Sequence, residues 1–203
     1  MTSRSTSEGP GDLARPLRSL LDPMEPWITD AEADERTWSV VSPIQRHRVG
    51  EDADVILRRR VAELLGAPAA EVRVGRSCGR CGSAAHGRPW ARAIGRRDEV
   101  GVSLSRCGPH LLTAVSGTAR IGVDIESVAA VAAGWDPGLV LHPSESGHAS
   151  TAQERAAMWC RKEAILKLLG DGLDTPMSSI RVADFEVVDV PAPQGYCAAY
   201  ALQ

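Results

Sequence analysis

The chain has 203 residues, a formal net charge of −3 and 4% aromatic residues. Such a length buries a sizeable core, as one domain or two small lobes, and that core must be mainly aliphatic. The charge excludes a globally basic nucleic-acid binder, no apolar run is long enough to span a bilayer, and the first ten residues lack the apolar centre of a secretory signal. The five cysteines are odd in number and lack framework spacing, so they read as reduced thiols in a cytoplasm.

Residues 1–25, rich in Ser, Gly, Arg and Pro, read as a mobile extension. From Asp30 a helical pattern begins, carrying Glu32, Asp34, Glu35 and Arg36. A stronger helix is predicted over 52–65, with Val55, Ile56, Val61, Leu64 and Leu65 as its apolar stripe and Gly66 and Pro68 as its stop. Strands are predicted over 72–74, 100–104 and 111–115, the last two joined by a turn at Cys107-Gly108-Pro109. An acidic strand over 119–126 leads into an Ala/Gly loop, a helix over 150–169, and strands over 180–190 and 196–202. One helix-plus-sheet half thus precedes another, although no internal repeat is visible in the residues.

Two segments carry chemistry. In Gly122-Val123-Asp124-Ile125-Glu126 the two carboxylates share one face at period two, and a hard divalent cation relieves their repulsion. A solvated strand face is the plainer account of a lone D-x-E. The helix segment Trp159-Cys160-Arg161-Lys162-Glu163-Ala164-Ile165-Leu166-Lys167 holds the only two lysines of an arginine-rich chain, on either side of Glu163. Lysine is a compact charge on a flexible stem and does not stand in for an arginine fork. An ordinary Glu163–Lys167 surface pair is the competing account.

Together these segments resemble the Sfp-type 4′-phosphopantetheinyl transferases, as do Gly87-Arg88-Pro89 and the strand Val102-Ser103-Leu104-Ser105. The likeness runs from about Ile44 to Gln203. It implies an α+β fold of two similar lobes in pseudo-twofold arrangement, with a 26–117 lobe, a 118–203 lobe carrying the metal site, and a seam near Gly117. The implied reaction is Mg²⁺-dependent transfer of 4′-phosphopantetheine from coenzyme A to a serine of an apo carrier protein, releasing adenosine 3′,5′-bisphosphate. Asp124, Glu126 and Glu163 are then the metal ligands, and Glu163 accepts the serine proton. Lys162 neutralises the pyrophosphate, and Trp159 packs the helix against the acidic strand. Arg88, Ser105 and Arg106 are implied to meet coenzyme A. For Lys167 the choice lies between a phosphate and Glu163; for Arg46 and Arg48, between phosphate and solvent. The Arg58-Arg59-Arg60 run reads as a wet helix face, or as a surface for an acidic carrier.

Two positions depart from the family pattern: Arg106 stands where a histidine is usual, and Val55 near where an arginine is usual. Arg106 keeps the positive charge and loses any titrating role near neutral pH. The implied partners are carrier proteins or domains of fatty-acid, polyketide or nonribosomal-peptide synthases, served by a cytoplasmic monomer, with no nucleic acid or membrane involved. Two other functions stay open: a non-catalytic carrier- or coenzyme A-binding module of the same fold, and a small zinc-dependent interaction domain. The latter rests on Cys78-Gly79-Arg80-Cys81 and His86, which have zinc-ligand spacing, with Cys107 as a possible fourth ligand. A loop of reduced thiols is the alternative for those cysteines.

Overall fold

The computed structural model describes residues 43–95, 100–117, 120–170 and 172–203. The N-terminal extension, the helical pattern after Asp30, Ala119 and Asp171 lie outside them. The fold is mixed α and β, built on two three-stranded antiparallel sheets of the same design. In the first, β1 (Ile44–Arg48), β4 (Gly101–Cys107) and β5 (His110–Ser116) lie in the order β1-β5-β4. In the second, β6 (Ile121–Ser127), β7 (Glu186–Val190) and β8 (Tyr196–Leu202) lie in the order β6-β8-β7.

Each sheet therefore starts with a strand, crosses through helix, and inserts its last strand in the middle. Ladder bonds are made by backbone, so two unlike sequences close the same topology. A two-stranded hairpin, β2 (Val72–Ser77) with β3 (Arg88–Ala93), is added to the first half.

Helix α1 (Ala53–Leu65) starts where the Asp52 side chain accepts the Asp54 and Val55 backbone N–H groups, and ends at Gly66 in the left-handed region. Its buried stripe is Ala53, Ile56, Leu57, Val61 and Ala62, whereas Val55 and Leu64 are exposed. The sequence reading put those two inside; the packing against β5 selects the neighbouring face instead. The Arg58-Arg59-Arg60 run also divides. Arg60 turns inward and donates to the Thr113 carbonyl at 2.7 Å, Thr113 Oγ1 at 2.9 Å and the Pro43 carbonyl at 2.8 Å. It clips α1 to β1 and β5, and burial lowers its guanidinium to about 10.

The expected Ala/Gly loop after β6 is helical: α2 (Val128–Ala133), capped by Ser127, then a short α3 (Pro137–Val140). The long helix α4 (Ala152–Leu169) opens on a Thr151/Glu154 capping box. One face of the second sheet, with Ile121, Val123 and Ile125, packs on Ile44, Leu112 and Ala114 of the first. The other face lies under α4. Trp159 of that helix packs among Met158, Ala199, Val187 and their neighbours.

Candidate active site

Strands β4 and β6 run side by side and are stitched by every second residue of β4. Ser103 Oγ accepts the Val123 N–H at 3.1 Å, Ser105 Oγ donates to Asp124 Oδ1 at 2.7 Å, and Cys107 Sγ donates to Glu126 Oε2 at 3.4 Å. Period-two alternation makes this possible, because it sends Ser103, Ser105 and Cys107 to one side. It also sends Arg106 to the other side, where it is exposed. Ser105 thus orients an acid, and Arg106 does not stand beside it.

On the far side of β6, α4 approaches backbone to backbone at Gly122. A Cβ there would lie 1.9 Å from the Ala164 carbonyl oxygen and 2.5 Å from the Leu168 nitrogen. This contact sets α4 low enough over the strand for Lys167 Nζ to reach Asp124 Oδ1 at 2.5 Å. Among the described ion pairs Lys167 joins Asp124, not Glu163. Gly122→Ala must push α4 off β6; a loss of about 3 kcal/mol or more is expected, read as a fall in the urea midpoint with unchanged slope.

Asp124 is buried, and its Oδ2 has no hydrogen-bond partner. Burial and then the Asp124 charge push the Glu126 carboxyl up; burial and Asp124 do the same to Glu163, against the pull of Lys167. Ionising these two acids therefore costs fold stability as the pH rises past the ordinary carboxylate range. An orphaned buried carboxylate oxygen near two acids that resist ionisation has the chemistry of a hard divalent-cation site. The oxygens of Asp124, Glu126 and Glu163 do not all lie within 4.8 Å of one another, so a shared ion requires side-chain movement.

A cleft of about 650 Å³ opens next to this cluster, between the β2–β3 loop, β4 and the end of α4. Arg76, Arg80, Arg88 and Lys167 line it, against one acid among the described lining residues, Asp174, which lies 3.6 Å from Arg80. Lys167 belongs both to this basic cleft and to the acidic cluster. Arg76 and Arg80 were missed by sequence reasoning. The period-two pattern of Val72 and Val74 carries on to Arg76, and that was the available signal.

Other expected site residues lie elsewhere. Arg46 and Arg48 line a separate hollow with His47, Val49, Pro109 and His110. Lys162 is fully buried: its ammonium pairs with Glu145 at 2.6 Å and donates to the Ile180 carbonyl at 2.6 Å and the Met177 carbonyl at 3.1 Å. It is not among the residues that line the cleft, and its ammonium is committed to Glu145 and the two carbonyls. Adjacent helix positions are turned about 100° apart, so Lys162 and Glu163 leave α4 in different directions.

Cys78, Cys81 and His86 converge so that their ligand atoms lie within 4.8 Å of one another, an arrangement able to hold a metal ion. Cys107 is not among them; it is held at the acidic seam.

Residues 120–200, which carry β6, α4, β7 and nearly all of β8, match the model of the 4′-phosphopantetheinyl transferase superfamily. The match covers less than half of the chain and is to the superfamily rather than to its Sfp-type branch. No curated protein matches the chain.

Proposed function

We propose that the protein is an Sfp-type transferase that moves 4′-phosphopantetheine from coenzyme A to a carrier-protein serine. The observation that carries this reading is the buried Asp124 with its orphaned oxygen, set among Glu126, Glu163 and Lys167 inside the family-matched segment and beside a cleft rich in cations. Asp124, Glu126 and Glu163 would hold Mg²⁺, which when bound supplies charge neutralisation for the pyrophosphate.

Around it, the chain's own residues bind, orient and take up a proton. Ser105 and Lys167 hold Asp124 by one oxygen and leave the other, which is buried, without a hydrogen-bond partner. Arg88, Arg76 and Lys167 offer the cleft's positive charge to the phosphates of coenzyme A, with arginine forks suited to phosphate oxygens. The carrier serine oxygen forms a bond to the β-phosphorus, the bond to the departing adenosine bisphosphate breaks, and Glu163 accepts the serine proton. Lys162 acts at one remove, by fixing the helix that carries Glu163.

The test is intact-protein mass spectrometry of apo carriers of fatty-acid, polyketide and nonribosomal-peptide type, incubated with the chain, coenzyme A and Mg²⁺. A gain of one phosphopantetheine mass that disappears with chelator is the expected result, and it ranks the acceptors. No gain on any carrier, with coenzyme A still bound, overturns the reading in favour of a non-catalytic binding module.

A further inference from the structure

The β2–β3 loop brings a second set of ligands together, chemically unlike the acidic cluster. Cys78 and Cys81 have C-x-x-C spacing and His86 follows within five residues; Cys81 Sγ lies 3.4 Å from His86 Nε2. The loop is already folded into a tight knuckle. Gly82 N donates to the Cys78 carbonyl at 2.9 Å, and Cys78 N donates to the Ser83 carbonyl at 3.0 Å. The return is closed by Gly87, at φ 98°, where a Cβ would sit 2.4 Å from the Ser77 carbonyl oxygen. That close approach sets His86 against the cysteine pair.

Both cysteines are free thiols. Two thiolates and an imidazole are soft and borderline ligands that suit zinc and do not suit magnesium, which takes oxygen.

We propose that Cys78, Cys81 and His86 bind a zinc ion, with water in the fourth position, and that this ion pins the loop forming one wall of the basic cleft. Cys78, Gly79, Arg80 and Gly87 line that cleft together with Arg88, so an ion that closes the loop also sets the spacing of Arg80 and Arg88. The site stands whether or not the chain is a transferase, because its ligands are separate from Asp124, Glu126 and Glu163.

The experiment measures metal on the full chain purified under reducing conditions, without coenzyme A. About one zinc per chain is expected, and Co²⁺ exchanged into the site should give a thiolate-to-cobalt absorption band. Both signals should be lost in Cys81→Ser. If that variant does not fold, alkylation of the two thiols in the wild-type chain should release the zinc instead. Zinc-free protein with no cobalt band overturns the proposal. So does a band unchanged by the substitution or by alkylation, or a Cys78–Cys81 disulfide found by non-reducing mass analysis with metal absent.

Discussion

Asp124→Asn is expected to lower the proposed phosphopantetheinyl transfer by about 10²-fold or more, since it removes a charge from the proposed metal site. The fold should survive. Asparagine has the same shape, and its oxygen can still accept from Ser105. Lys167, which loses its anion, is partly exposed at 30% and can turn to water. The surrounding acids also gain, because Asp124 is one cause of the raised carboxyls of Glu126 and Glu163. The lost Lys167 pair and the relieved repulsion among the acids therefore oppose each other in the metal-free protein. Thermal unfolding with and without Mg²⁺ separates the two effects: the wild-type transition rises with the cation, and that of Asp124→Asn stays where it was. Full activity of the variant at limiting Mg²⁺ would remove Asp124 from the site.

Lys162→Ala, one position from the proposed base, should fail for a different reason. It leaves Glu145 buried and unpaired, and breaking such a pair costs about 3–5 kcal/mol, or roughly 10 °C in a domain of this size. Glu145 also accepts the His142 N–H at 2.9 Å and the Val182 N–H at 2.8 Å, so the pair ties α4 to the segments on both sides of it. Removing both charges, as in Lys162→Met with Glu145→Gln, should recover most of the loss. The folded fraction of either variant should turn over near the wild-type rate. A stable Lys162→Ala protein with a selective loss of turnover would instead mean that the ammonium leaves Glu145 to meet substrate.

The same pair sets a pH dependence. Burial pushes the Glu145 carboxyl up, but the Lys162 hydrogen bond and the Val182 and His142 N–H groups outweigh it, so the net shift is downward. A carboxyl depressed in the fold contributes stability above its unfolded value, about 4.3, and loses it as the pH falls through the lower folded value. Denaturant titrations below about pH 4.3 should show a steeper slope in the wild type than in Lys162→Ala, where the Val182 and His142 N–H groups still hold Glu145.

Several elements were readable because their signals are local. Asp52 and Gly66 bracket α1, alternation marks β6, and the β4–β5 hairpin follows from its turn residues. The β1 strand was missed because Gln45, Arg46 and Arg48 give a polar run with no apolar alternation. The β3 strand was missed because Arg88-Pro89-Trp90 looks like loop chemistry; it sits in a two-stranded hairpin, where proline is tolerated. In α2 the alanines and nearby Gly134 suggested a loop, whereas Ser127 capped a helix.

The residues alone determined the chemical inventory: a carboxylate pair at period two on one strand, a glutamate between the chain's two lysines, and a thiol pair at metal-ligand spacing. Such features depend on residue type and on the fixed periods of strand and helix. The tertiary structure decided which of them meet. It gave Lys167 to Asp124 across the Gly122 contact, buried Lys162 against a glutamate seventeen positions away, and brought Arg76 and Arg80 to the cleft while leaving Arg46 and Arg48 outside it. Partners that meet through packing leave no mark on sequence spacing, because the approach of two backbones, rather than the order of residues, sets which side chains come within reach.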